Sequence, residues 1–181
     1  MIKDKNYELY SFDIFDTLVT RTTFDPFGIF LLMQNTLCKN PEYFDIPEFV
    51  RNNFKTLRQG AENFLRRTRC YTRIDRVLSP TEAQQEFSLE EFYALMGERH
   101  GLTSEHQKKL INLEIETEIK NSIPIKDNIE LLKKLVSNGK RVVLISDMYL
   151  PEVVIRKILS QHDSVFNNIK IYVSSKYQEL K

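Results

Sequence analysis

The sequence predicts an α/β protein with a parallel-sheet core and a helical insertion after its first strand. Three observations carry this expectation. Short apolar runs end in acidic or hydroxyl residues at Phe12-Asp13, Ile145-Ser146 and Val173-Ser174. The last two runs are joined by a helix-period pattern, as right-handed βαβ units require. Residues 25–121 show helical periodicity without a convincing strand and read as a helical module inserted into the core.

The aromatic and apolar residues from Leu9 to Phe12 suit a buried parallel strand, which needs apolar neighbours on both faces. Asp13 then falls where open α/β sheets place their ligands. The competing reading of Asp13 and Asp16 is an Asp-rich turn. Asp25-Pro26 reads as a helix cap followed by proline at the first helical position, opening a helix from Pro26 to about Leu37. From Pro47 one long helix carries Val50, Phe54, Leu57, Ala61 and Phe64 at spacings of four and three. Along it Arg58, Glu62 and Arg66 share a face, as an intrahelical ion-pair ladder or as contacts to a substrate. The basic run Arg66 to Arg76 is a solvated helix end or an anion contact.

Ser79-Pro80 starts a helical turn, and Ser88-Leu89-Glu90-Glu91 is a capping box whose helix closes near Gly101. Thr103 caps a helix with Leu110, Leu113 and Thr117 on one face. Asp127 caps another with Ile129, Leu132, Leu135 and Val136 inward, closed by Gly139. Arg141 to Ser146 is a β-branched buried strand, Pro151 restarts a helix with Val154, Ile155, Ile158 and Leu159 inward, and Ile169 to Val173 is the next strand. In a parallel sheet Asp13 and Ser146-Asp147 share one edge, where a carboxylate and a hydroxyl can act on one phosphoryl or other electrophilic group.

Composition narrows the function classes. The 181 residues are 41% hydrophobic and 28% charged, values of a folded globular chain. Lys+Arg 26 against Asp+Glu 25 leaves a formal charge of +1, which argues against a nucleic-acid partner. Cys38 and Cys70 lack metal-ligand or redox spacing, and His100, His106 and His162 lack ligand spacing. Met1 to Lys5 lacks the apolar core of a leader, and Ile29 to Met33 is too short to cross a bilayer. The expectation is a cytoplasmic protein without a membrane partner.

On its strand ends the sequence resembles the haloacid dehalogenase (HAD) superfamily. The first motif of that family, an apolar strand ending in an Asp-x-(usually Asp)-x-Thr-Leu pattern, reads here Phe12-Asp13-Ile14-Phe15-Asp16-Thr17-Leu18. The second, an apolar strand ending in Ser or Thr, reads Val142-Val143-Leu144-Ile145-Ser146. Ser146-Asp147-Met148-Tyr149-Leu150-Pro151, Arg58-Gln59-Gly60-Ala61-Glu62 and Tyr172-Val173-Ser174-Ser175 resemble an uncharacterised branch often linked to surface-polysaccharide genes. The resemblance spans about residues 7 to 181 and implies a HAD-like Rossmannoid core (1–22 and 122–181) with a helical cap (23–121).

Carried over by position, the resemblance implies a Mg²⁺-dependent phosphohydrolase or phosphotransferase in which Asp13 is the nucleophile that forms an aspartyl ester. Mg²⁺ would bind the Asp13 carboxylate and the main-chain carbonyl of Phe15. Ser146 would hydrogen-bond a phosphoryl oxygen, Thr17 would hold the turn, and Asp147 and Arg58 are further candidate substrate contacts. Lys181, with Lys176 second, is the candidate for the basic third motif. The implied substrate is a phosphorylated small molecule or sugar.

Two departures from the family pattern follow. Phe15 stands where its phosphatases usually carry an acid/base Asp; Asp16 is the candidate replacement, the alternative being a turn residue. The acidic fourth motif has no counterpart before Lys181, so the expectation is a truncated core, weakly active or inactive as it stands. Its open sheet edge would be covered by a second copy or a partner chain. Phe15 also keeps two other readings open: a non-catalytic HAD-like binding or regulatory module, and a dehalogenase-like hydrolase that attacks carbon.

Overall fold

The computed structural model describes residues 7–72 and 87–177. The expected turn at Ser79-Pro80, the end of the basic run at Arg73 and Arg76, and Lys181 lie outside the described residues. The protein is a mixed α/β chain whose main sheet is parallel, with strand order β1 (Leu9–Phe12), β4 (Arg141–Ser146), β5 (Lys170–Val173). Register pairs Phe12 with Leu144, and Ser146 with Val173. All three carboxyl ends therefore meet on one edge of the sheet.

Among the described residues, two helices cover one face of this sheet. Helix α6 (Lys126–Ser137) packs on β4 and α7 (Glu152–Ser160) on β5. Phe12, Leu144, Ile171 and Val173 alternate toward them. The opposite face presents Leu9, Val143, Ile145 and Tyr172, of which Leu9 is 46% and Tyr172 39% exposed. A shallow concavity of about 580 Å³ lies over these side chains and Arg141. The expected apolar cover is present on the helix side, whereas the opposite face is half-buried at Val143 and Ile145 and partly exposed at Leu9 and Tyr172.

A second, antiparallel ladder was not foreseen. β2 (Val19–Arg21) pairs with β3 (Ser122–Pro124), so the chain leaving the parallel sheet and the chain returning to it run side by side. Between them lie α1 (Gly28–Lys39), a 3-10 turn at Pro41–Tyr43, α2 (Glu48–Asn52), α3 (Phe54–Thr72), α4 (Leu89–His100) and α5 (Ser104–Lys120). A short helix α8 (Ser174–Tyr177) follows β5.

Several boundaries move for local reasons. Asp25 does not cap at Pro26; its side chain and carbonyl both accept the Gly28 amide in a turn, and α1 starts at Gly28. That residue must be glycine, because a Cβ there would sit 2.5 Å from Cβ of Thr23. The long helix expected from Pro47 is broken at Asn53, whose side-chain amide bonds the Phe49 carbonyl. On the far side of the break, Gln34 accepts the Lys55 amide. Asp127 lies inside the first turn of α6, behind an Ile125 cap position, and only Ile129 and Leu132 of the expected apolar face are buried. The Ser88–Glu91 capping box forms as read, and Thr103 forms a second with His106. Gly101 closes α4 at φ +67.

The helical unit has charges at its centre. Arg58 is wholly buried, its Nε and Nη2 donating to the Glu114 carboxylate at 3.0 Å each. The Tyr93 hydroxyl donates to the same carboxylate, and the rings of Phe92 and Phe30 lie 4.2 and 4.6 Å from the guanidinium. Glu62 joins Arg58 at 3.3 Å and Arg66 at 3.0 Å, the ladder considered from the sequence. A buried pair is costly to break, because the remaining charge stays desolvated. Glu114→Ala is therefore expected to lower unfolding stability by about 3 kcal/mol or more in urea denaturation. Arg58→Met combined with Glu114→Leu should cost well under the sum of the single changes. Additive losses would refute the pairing account.

Candidate active site

The site is built on the carboxyl edge of β1 and β4. Asp13 comes one residue after the Phe12–Leu144 pair, and the buried Ser146 ends the neighbouring strand. Asp147 follows it as an exposed residue. The register thus brings Asp13, Ser146 and Asp147 to one edge of two adjacent strands.

After Asp13 the chain turns on a single acceptor. The carbonyl of buried Ile14 receives the amides of Leu18 at 2.8 Å and Val19 at 3.1 Å. The Asp16 amide donates back to the Val19 carbonyl at 2.7 Å, which closes the turn. Asp16 has φ +57, a left-handed conformation that Asp tolerates better than most residues with a Cβ. Its carboxylate accepts the Thr20 hydroxyl at 2.7 Å. This is the geometry of a turn residue, the alternative reading of Asp16.

The far side of the turn is tied to the start of α6. The Asn128 side-chain amide donates to the Thr17 carbonyl at 2.7 Å, and the Ile125 amide to the Leu18 carbonyl at 2.9 Å. Thr17 therefore holds its position through its backbone. The near side ends in Phe15, whose ring lies 4.6 Å beneath the Arg21 guanidinium. Arg21 in turn donates Nε and Nη2 to Glu118 at 2.9 and 3.0 Å. Burial pushes the Glu118 carboxyl above its usual range, with Arg21 opposing that shift. Burial works against the Arg21 charge, but Glu118, Tyr149 and Asp16 together leave the guanidinium raised.

The loop after Ser146 is fixed from β5. Ser174 accepts the Met148 amide at 3.0 Å, and Tyr149 turns inward to meet Phe92 edge-on at 5.3 Å and Arg58 at 5.1 Å. Lys176 reaches the same region but bonds Glu152 at 2.7 Å. A cleft of about 500 Å³ opens here, lined by Ser88, Tyr149, Pro151, Glu152, Ser175 and Lys176 among others. A larger cleft, about 660 Å³, lies between α1 and α5 and is remote from this edge by its lining residues.

Arg58, a candidate substrate contact by sequence, sits instead at the buried centre of the helical unit. The basic run contributes Arg66, which is held by Glu62. The residues that sequence reasoning missed are Arg21, Glu118, Glu114 and Asn128; Ser174 reads from the sequence as a strand end, without its bond to the Met148 amide. For the two glutamates a signal existed: Leu110, Leu113, Glu114, Thr117 and Glu118 fall on one helical stripe, so both acids lie within the apolar face.

Asp13 and a main-chain carbonyl are hard oxygen donors, and they fit a Mg²⁺ ion that keeps several waters. They do not fit an all-protein cage, since no group of three His, Cys, Asp or Glu able to hold a metal occurs among the described residues. No described helix is long and apolar enough to cross a membrane. Compared with protein-family models, the sequence matches none. Nor does it match any of the curated proteins with which it was compared.

The turn and its flanking pair make two measurable predictions. Asp16→Val should cost about 1–2 kcal/mol in chemical denaturation, and Asp16→Gly clearly less; equal losses would show that φ is not the constraint. Lys176 and Arg156 hold Glu152 below the ordinary glutamate value of 4.5. The folded value being the lower one, this stabilisation is fully present above the unfolded value and is lost as pH falls through the folded one. Glu152→Gln should therefore flatten the decline of Tm between about pH 5 and about pH 3. An unchanged acid limb would contradict it.

Proposed function

We propose that this chain is a HAD-like hydrolase, a Mg²⁺-dependent phosphohydrolase or phosphotransferase that uses Asp13 as its nucleophile. The observation that carries the reading is the register of β1 on β4, which sets a carboxylate and a buried serine at adjacent strand ends. Support also comes from the turn after Asp13, closed by hydrogen bonds to the Ile14 and Val19 carbonyls.

In this mechanism a carboxylate oxygen of Asp13 attacks phosphorus, and the bond to the leaving oxygen breaks with its electron pair going to the leaving group. Water then attacks the aspartyl phosphate and releases phosphate. The Ser146 hydroxyl donates a hydrogen bond to a phosphoryl oxygen and orients the group. The Asp13 carboxylate and the Phe15 carbonyl would hold Mg²⁺, whose charge offsets repulsion between nucleophile and phosphate. Phe15 offers no proton to the leaving group. The substrates that suit this site are those whose leaving group departs as a stable anion, such as acyl phosphates or nucleotide diphosphate sugars. Lys176, held by Glu152, stands second to Lys181 for the basic role.

One observation favours a second reading, a non-catalytic binding module: the residue two after Asp13 is an aromatic ring engaged by Arg21. Among the described residues β1 is an edge strand of the parallel sheet, and that edge, with Leu9 and Tyr172 partly exposed beside it, suits a second copy or a partner chain. Molar mass in solution distinguishes the two.

The test is turnover of acetyl phosphate and p-nitrophenyl phosphate with and without Mg²⁺. Asp13→Asn is expected to lower Mg²⁺-dependent turnover by about 1000-fold or more. Acetyl phosphate should be preferred over a simple alkyl phosphate. If wild type and Asp13→Asn are equally inactive on all of them, yet both bind a partner chain, the hydrolase reading falls and the module reading stands.

A further inference from the structure

We propose that Arg21 and Glu118 are the positioning pair of this site, through which the helical unit sets the turn that carries Asp13. The importance of that turn rests on the proposed role of Asp13; the contact itself does not. Glu118 comes from α5 and is buried, so its carboxylate is fixed by the packing of the helical unit. It takes both hydrogen bonds of the Arg21 fork in the guanidinium plane. The open face of the same plane is left to stack on Phe15, 4.6 Å from the ring centroid. A planar guanidinium can make both contacts at once; a lysine ammonium cannot.

Phe15 is two residues after Asp13 and one before the left-handed Asp16. Its backbone bridges to Val19 inside the turn. The Thr17–Leu18 side is already tied to α6 by Asn128 and Ile125, whereas the Phe15 side meets Arg21. The aromatic that replaces an acid/base residue thus becomes the platform on which the inserted helices hold the nucleophile's turn. Arg21 does not act on substrate; it positions Phe15, and Phe15 limits where Asp13 points.

The rival is that Arg21 only braces β2 against α5. Amide hydrogen exchange on the full chain separates the two. In Phe15→Leu, which leaves the Arg21–Glu118 bonds intact, the amides of Asp16, Leu18 and Val19 are expected to exchange about 10-fold faster. Arg21→Lys should do the same, and Phe15→Tyr, which keeps a ring, should retain wild-type exchange. The Thr22 amide, which bonds the Asn121 carbonyl outside the turn, should be unaffected in Phe15→Leu. In the acetyl phosphate assay Phe15→Leu and Arg21→Lys should lower kcat with KM unchanged within about twofold.

Unchanged turn amides in Phe15→Leu would overturn the proposal, as would accelerated Thr22 without acceleration of Asp16 in Arg21→Lys. Should Arg21→Lys fail to fold, the comparison of Phe15→Leu with Phe15→Tyr decides alone. Should no variant, wild type included, turn over substrate, the hydrolase reading fails while the exchange result still decides the positioning role.

Discussion

The structure depends on two carboxylates placed one helical turn apart on α5. Glu114 and Glu118 are both removed from water, and each would be prohibitively costly there without a paired cation. Their partners come from different parts of the chain, Arg58 from α3 and Arg21 from the end of β2. The rings stacked on those guanidinium groups include Tyr149, from the loop after Ser146, and Phe15, from the turn after Asp13. One stripe of one helix therefore sets α3 and both loops that carry the candidate site. Apolar contacts supply bulk stabilisation but are non-directional. The forked hydrogen bonds supply the direction.

What the sequence made legible were the features with local causes. The strand from Arg141 to Ser146, the helix after Pro151 with its four inward residues, and the Ser88 box each depend on residues a few positions apart. The edge shared by Asp13 and Ser146 was legible because parallel strands place their carboxyl ends together. Boundaries slipped where a side chain competed with the helix, as Asp25 does at Gly28 and Asn53 does at Phe49.

The long-range pairs were not legible. Arg58 with Glu62 and Arg66 spells an i, i+4 ladder, and that ladder forms, yet the dominant partner Glu114 lies 56 residues away. Arg21 and Glu118 are 97 apart and share no pattern. The β2–β3 ladder has three residues in each strand, too few for a period-2 signal. The partial exposure of one sheet face was also hidden, because an apolar strand reads the same whether one side or both are covered.

The pairing of β2 with β3 bears on how such a chain comes to fold. Among the described residues the hydrogen-bonding neighbour of β1 is β4, which lies beyond the whole helical unit in sequence. Bringing two strands together across so long a loop is entropically slow. The helical unit, rich in local contacts, can form earlier, and the ladder together with Arg21–Glu118 then brings its two ends to neighbouring positions. An insertion of about a hundred residues behaves in that respect as a tight connection. The parallel sheet then needs to close only the short spans on either side of it.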